Sequence, residues 1–173
     1  MSKGIILYQS KYGATKKYAQ WLQEKTGYNC VETKSAKLNQ LTGYDTLILG
    51  GGVYASGIAG LSFLKKNIRH LSDKKIVVFC VGASPYDETA IAQIRELHFK
   101  DELRQIPLYY CRGAWNEEAM TFGDRTLCKM LKKALSKKDP STYEIWEKAL
   151  VEAAGQTCDW TDPAYLEPVL AAL

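Results

Sequence analysis

The residues best suited to chemistry lie near the start of the chain, in Gln9-Ser10-Lys11-Tyr12-Gly13-Ala14-Thr15. Ser10 and Thr15 bring hydroxyl donors, and Gly13 has no Cβ to keep an anion away from the backbone. An apolar run, Gly4-Ile5-Ile6-Leu7-Tyr8, precedes this stretch, and a helical pattern begins at Lys16. In an open parallel sheet that junction brings backbone N–H groups and the positive end of a helix to the sheet's carboxyl edge. Holding a phosphate is the chemistry it suits; the same hydroxyl-rich turn also caps helices that bind nothing. No Gly-Lys-Ser/Thr follows, so it is not a Walker loop, and it lacks the Gly-x-Gly-x-x-Gly of a dinucleotide turn.

Two more loops have unusual composition: Gly50-Gly51-Gly52-Val53-Tyr54-Ala55-Ser56-Gly57, and Gly82-Ala83-Ser84-Pro85-Tyr86-Asp87. Each combines a flexible backbone with one aromatic ring. A phosphate cradle flanked by Tyr54 and Tyr86 suits a flat conjugated ring carrying a phosphate tail. Each aromatic pair would contribute roughly 0.5–1.5 kcal/mol beyond area burial. Alternatively, each tyrosine closes the end of its own loop. No His-Asp-nucleophile set or acid pair is apparent, so no catalytic residue is assigned. The five cysteines include no Cys-x-x-Cys and no His-Cys cluster, and no metal site is expected. Cys80 and Cys111 fall within strand-like runs and Cys30 beside one, which reads as buried thiols. His70 and His98 fall near predicted helix C-termini, where the dipole favours them structurally.

The elements that position these loops follow from patterning. Strand-like runs alternate with helical ones, as in an α/β protein with a parallel sheet. The first helix carries Tyr18, Ala19 and Leu22 on one face and stops near Gly27. Asn29 to Thr33 is a weak strand, and Thr46-Leu47-Ile48-Leu49 a strong one that the three glycines end. Leu61, Leu64, Ile68 and Leu71 mark a helix. Lys75 to Val81 is near-continuously apolar, as a strand buried on both faces should be. Ile91, Ile94 and Leu97 mark another helix, and Ile106 to Cys111 a fifth strand, with Pro107 implying an edge or a strand start. Trp115 to Asp124 reads as a loop or broken helix start, followed by a helical stripe from Leu127 to Leu135. Asp139-Pro140-Ser141-Thr142-Tyr143-Glu144 predicts a helix start with a Ser-x-x-Glu box. A C-terminal helical extension, about 139–173, is expected to fold against the body of a single domain spanning 1–173.

Lys and Arg number 23 against 19 Asp and Glu, a net charge of +4. The lysines scatter over helix faces, so a solvated surface is expected and no nucleic-acid partner. No stretch is apolar for long enough to span a membrane, and the N-terminus lacks a signal-peptide plan; a cytoplasmic location is the expectation.

With these residues in view, the chain resembles the flavodoxin family over nearly its whole length. Ser10-x-x-Gly13-x-Thr15 is similar to the family's phosphate loop, although the hydroxyl residue common in its middle is Tyr12 here. Gly82-x-x-x-Tyr86 resembles the loop whose tyrosine covers one flavin face, and Gly50 through Ala55 the other flavin loop. The resemblance implies a three-layer sandwich with a five-stranded parallel sheet in the order 2-1-3-4-5 and helices on both faces. It also implies a non-covalent FMN at the switch in strand order, a placement that is family knowledge. The FMN-binding residues would be Ser10, Lys11, Tyr12, Gly13, Ala14, Thr15, Gly52, Val53, Tyr54, Ala55, Gly82, Ser84 and Tyr86. In electron-carrying members the residue after the first aromatic cover is often glycine, because a peptide flip there supports the flavin's half-reduced state. Ala55 stands there instead and accommodates positive φ less readily. Phe122-Gly123-Asp124-Arg125, the basic helix and Asp159-Trp160-Thr161-Asp162 resemble the branch of the bacterial quinone-linked protoporphyrinogen oxidase. That branch's longer basic insertion is missing. The resemblance implies an FMN-dependent oxidoreductase, with a redox partner protein or a small donor such as NAD(P)H or a quinol. A non-enzymatic electron carrier is the alternative. Trp115 would frame the ring together with the two tyrosines.

Overall fold

The computed structural model describes residues 3–173. Five parallel strands form the central sheet: β1 (Gly4–Gln9), β2 (Asn29–Glu32), β3 (Thr46–Tyr54), β5 (Lys75–Gly82) and β6 (Leu108–Arg112). Their order across the sheet is β2-β1-β3-β5-β6, and β4 (Gly57–Ile58) adds an antiparallel pair to the end of β3. Among the parallel strands this is the expected 2-1-3-4-5 order. The helices are α1 (Ala14–Thr26), α2 (Leu61–Asn67), α3 (Glu88–His98), α4 (Phe122–Leu135), α5 (Ile145–Ala153) and α6 (Glu167–Ala171). A separate ribbon pairs β7 (Ala114–Asn116) with β8 (Thr157–Asp159).

Both faces of the sheet are covered, and the alternation along each strand sorts the core into two clusters. Ile5, Leu7, Leu47, Leu49, Ile76 and Val78 face Leu61 and Leu64 of α2 and Ile94 of α3. Ile6, Ile48, Val77 and Phe79 face Tyr18, Ala19 and Leu22 of α1, together with Leu166 and Val169 from the C-terminal segment. Thr15, Tyr18, Ala19 and Leu22 are the buried face of α1, at the spacing of one helical stripe. Gly27 ends the helix at φ +71°, the left-handed conformation that glycine adopts without a Cβ clash.

The C-terminal segment is tied down by polar contacts as well. The Tyr18 hydroxyl donates to Arg112 O at 2.5 Å and accepts from Asp162 N at 3.1 Å. Lys17 Nζ donates to Asp159 at 3.0 Å and to Thr161 Oγ1 at 2.8 Å. The Arg112 guanidinium lies 4.1 Å from the Trp160 ring centre.

The structure revises four boundaries. β3 does not stop at Leu49 but runs through Gly50-Gly51-Gly52 to Tyr54. Those glycines serve close approach: a Cβ on Gly50 would lie 2.1 Å from Phe79 Cζ, and one on Gly51 1.9 Å from Ala59 O. Trp115, expected in a loop, lies in β7 opposite Cys158. The segment from Asp139 is a short 3-10 turn over Pro140–Thr142, with Asp139 accepting from Ser141 N at 3.0 Å. α5 starts at Ile145, and Glu147 rather than a Ser-x-x-Glu box holds its entry, accepting from Glu144 N at 2.7 Å. Finally, β8 forms within a tail expected to be helical, because its partner strand β7 is contributed from far along the sequence.

Gly51→Ala is therefore expected to destabilise the fold by about 2–3 kcal/mol, since the clash is with backbone and not with a mobile side-chain end. Gly43→Ala serves as control, because a Cβ there meets nothing within 4 Å. Denaturant melts of the two variants compare the effects; equal stabilities would contradict the close approach at β3.

Candidate functional site

The sheet's strand order reverses between β1 and β3, so the loops leaving their carboxyl ends diverge and open a crevice there. The loop after β1 enters α1 through Gly13, which sits at φ +102° with no side chain capping the helix. The first-turn amides of α1 therefore lack an intrahelical acceptor and lie, with the positive end of the helix dipole, at the carboxyl end of β1. Ser10 Oγ accepts from Gly13 N at 3.0 Å, which folds the loop back on itself. Ala14 and Thr15 open the helix; Thr15 is buried, and a Cβ on Gly52 would stand 3.8 Å from its hydroxyl. The end of β3 is thus brought directly over the loop.

Beyond Gly52, Val53 pairs with Ile58 and Tyr54 with Gly57, making a tight two-residue hairpin. Its central residues, Ala55 at φ +46° and Ser56 at φ +64°, both adopt left-handed backbone. Positive φ at both positions is the mark of a type I′ turn, whose twist suits the flanking strands. His98, the last residue of α3, holds this turn: its Nε2 lies 2.8 Å from Ser56 O, and its Nδ1 3.2 Å from Lys65 Nζ. A carbonyl only accepts and an ammonium only donates, so the partners fix the proton on Nε2. Tyr54 projects from the hairpin and is half exposed.

The third loop leaves β5 at Gly82. Tyr110 beneath it donates to Ser84 O at 2.5 Å, and Arg112 Nε donates to Ala83 O at 3.1 Å. Gly113 N reaches Gly82 O at 2.7 Å. Tyr86 is also half exposed, its ring 6.1 Å from that of Tyr110.

The structure brings in one acidic residue without a role in the sequence reading. Asp124, in the first turn of α4, accepts from Lys11 Nζ at 2.5 Å and from the Tyr12 hydroxyl on Oδ2. Its Oδ1 accepts from the Tyr54 hydroxyl at 3.1 Å. The Lys11 and Tyr12 bonds, in that order, with a smaller one from Tyr54, pull its carboxyl down to about 2. The same contact with Asp124 raises Lys11 and Tyr54. Thr121 caps α4 by accepting from Asp124 N at 3.3 Å. The Thr-x-x-Asp spacing was a readable sign of a helix start, yet nothing local shows that its carboxylate reaches loops 112 and 70 residues away.

The Flavodoxin domain model matches residues 5–142. The chain belongs to the flavodoxin domain family. No curated protein matches it. Solved structures similar to it include the WrbA-like flavodoxin from Agrobacterium tumefaciens, at 17% identity, covering 72% of this chain and 88% of that one with a TM-score of 0.47. The two-electron reduced flavodoxin of Megasphaera elsdenii shares 18% identity over 62% of this chain and 82% of its own, at a TM-score of 0.46. A flavoprotein in complex with FMN from Lactobacillus acidophilus NCFM shares 18% over 65% and 93%, at 0.44.

Two outcomes are expected. Ala55→Gly relieves left-handed strain and raises unfolding stability by about 1 kcal/mol, read in a denaturant melt; a loss of stability would argue against the turn. Asp124 is ionised more readily in the fold than in the unfolded chain. Its contribution to stability is whole above about pH 4 and is lost as pH falls toward 2. The melting difference between wild type and Asp124→Asn should shrink across that window, and a constant difference would show that the carboxylate's charge is not what holds the three donors.

Proposed function

We propose that the chain binds FMN non-covalently at this crevice and works as a flavodoxin-type electron-transfer protein. The observation that carries the reading is the first turn of α1, uncapped by any side chain and opened by Gly13 at the switch in strand order. Family membership supports it independently. The amides of Ala14 and Thr15, with the hydroxyls of Ser10 and Thr15, would hold the phosphate, and Gly13 N would join them by giving up its bond to Ser10 Oγ. Lys11 and Tyr12 lie beside it. Tyr54 and Tyr86 would cover the ring, with Gly52, Val53 and Ala55 lining one side through their backbone and Gly82 and Ser84 the other. FMN supplies reversible electron and hydride transfer when bound. The chain's part is to orient the ring and to exclude water from its covered faces.

The net charge of +4 sets the expected partner. Electrostatic complementarity governs transient docking, so a partner acidic at its contact surface is favoured. A second reading rests on the resemblance of Phe122-Gly123-Asp124-Arg125 and Asp159-Trp160-Thr161-Asp162 to the quinone-linked oxidase branch. On that reading the protein is an FMN-dependent oxidoreductase that accepts electrons from NAD(P)H or a quinol. Under both readings it works in the cytoplasm as one domain, 1–173.

Purified protein should take up FMN with a shifted visible spectrum. Gly13→Val forces a β-branched residue to φ +102°, and Thr15→Ala removes a hydroxyl beside Gly52; each is expected to weaken FMN binding about tenfold. Unchanged affinity in both would displace the phosphate from this loop, and no uptake by wild type would end the FMN reading. Reductive titration in separate one-electron steps supports the carrier; direct two-electron reduction by NAD(P)H or a quinol supports the enzyme.

A further inference from the structure

Asp124 ties the candidate phosphate loop to the hairpin, and the proposed function gives it no part. Its side chain is 11% exposed, while that of Lys11 is 53% exposed. The Lys11 ammonium rests over two rings, 5.6 Å from the centre of Tyr12 and 5.5 Å from that of Tyr54. The Tyr12 hydroxyl donates to Asp124 and accepts from Thr121 N at 3.2 Å, so both its capacities are committed to the start of α4. Two consecutive residues of the loop therefore direct their side-chain donors to a carboxylate brought from another part of the chain.

Carboxylate and phosphate oxygens are the same kind of acceptor to an ammonium and a phenol. They are also like charges, and Asp124 has little else to balance it. Arg125, its neighbour, turns away and donates to the carbonyls of Glu117, Glu118 and Met120 at 3.2, 2.9 and 3.3 Å. A phosphate at Gly13–Thr15 would therefore find Lys11 already neutralised by Asp124, and would have to compete with that carboxylate for the ammonium and the Tyr12 hydroxyl.

We propose that Asp124 is a built-in competitor for the phosphate site: an internal carboxylate that holds Lys11, Tyr12 and Tyr54 and gives them up when a phosphate monoester enters the loop at Ser10–Thr15. The proposal rests on the reading of that loop as a phosphate site. Its consequence is mechanical as well as electrostatic. Filling the loop loosens the start of α4, because Thr121 and Asp124 lose their bonds to Tyr12, and it frees the Tyr54 hydroxyl at the hairpin. Binding at one end of the crevice thus reaches the tyrosine that covers the other.

Inorganic phosphate is the probe, with affinity measured by titration calorimetry on wild type and Asp124→Asn. The Asn variant keeps an oxygen for the Tyr54 hydroxyl, and Thr121 still caps α4. Asp124→Asn is expected to bind phosphate roughly fivefold more tightly or better. FMN, followed by flavin fluorescence, should likewise bind the variant more tightly than wild type. If neither protein binds FMN while phosphate still prefers the variant, the proposal stands and the FMN reading falls. Equal or weaker phosphate binding by the variant, or binding by neither, overturns the proposal. So does weaker FMN binding with unchanged phosphate affinity, which would make Asp124 a positioning residue for Tyr54. A second measurement needs no variant: hydrogen exchange of wild type in phosphate against chloride. Residues 10–16 should become protected while 117–125 exchange faster; protection of both segments would show that Asp124 closes on the phosphate and not against it.

Discussion

The carboxyl edge of the sheet takes its shape from a constraint inside β3. No side chain fits at Gly50 or Gly51, where Phe79 and the Ala59 carbonyl press against the backbone. That contact lets the strand pass through the sheet centre, bonded to β1 and β5, and still emerge far enough to turn back as a hairpin. Gly52 then lies over Thr15, and Tyr54 projects at the rim. Three consecutive glycines lower strand propensity. Here the local cost is outweighed by pairing on both sides of the strand and by the packing that the missing side chains allow.

Around that frame the candidate site is held mainly by polar contacts from distant parts of the chain. His98 reaches the hairpin from the end of α3, Asp124 reaches both loops from α4, and Tyr110 and Arg112 support the loop after β5 from the edge strand. Bonds to charged groups are stronger than neutral ones, roughly 1.5–3 kcal/mol against about 1. Solvent screening lowers this for half-exposed partners such as Lys11. The contacts thus serve geometry more than stability: they fix where Tyr12, Tyr54 and Ser84 stand.

Much of the fold was legible because burial imposes a period on the sequence. The run from Lys75 to Val81 and the stripe of Tyr18, Ala19 and Leu22 declare a two-sided strand and a one-sided helix, and the structure has both. The turn into α1 was legible because Gly13 and Ser10 act within a few residues of one another. The hairpin was not. Gly50-Gly51-Gly52 looks like a strand's end until Phe79 and Ala59 are known to lie against it. Ala55-Ser56 lacks the glycine or asparagine that usually signals a type I′ turn. Asp124 was quoted with its neighbours as a motif, but its partners are set by tertiary folding alone. Likewise β7 and β8 are three residues each, too short to show a period, and exist because they meet.

That ribbon completes a brace. Trp160 N donates to Gly113 O at 3.0 Å, and Gly113 N to Gly82 O, so the tail, the turn after β6 and the loop after β5 share one set of backbone bonds. From the same tail Asp159 and Thr161 hold Lys17, one turn into α1. Tyr18 joins Arg112 O and Asp162 N within a buried environment that raises its phenol strongly and keeps it protonated as a donor. The helix whose first turn faces the crevice is therefore fixed at its N-terminal end by residues about 140 positions away. β6 lies at the sheet's edge, and the tail supplies the neighbour it would otherwise lack near Gly113. The C-terminal segment thus sets the orientation of α1 relative to β1, and through it the direction in which the amides behind Gly13 point.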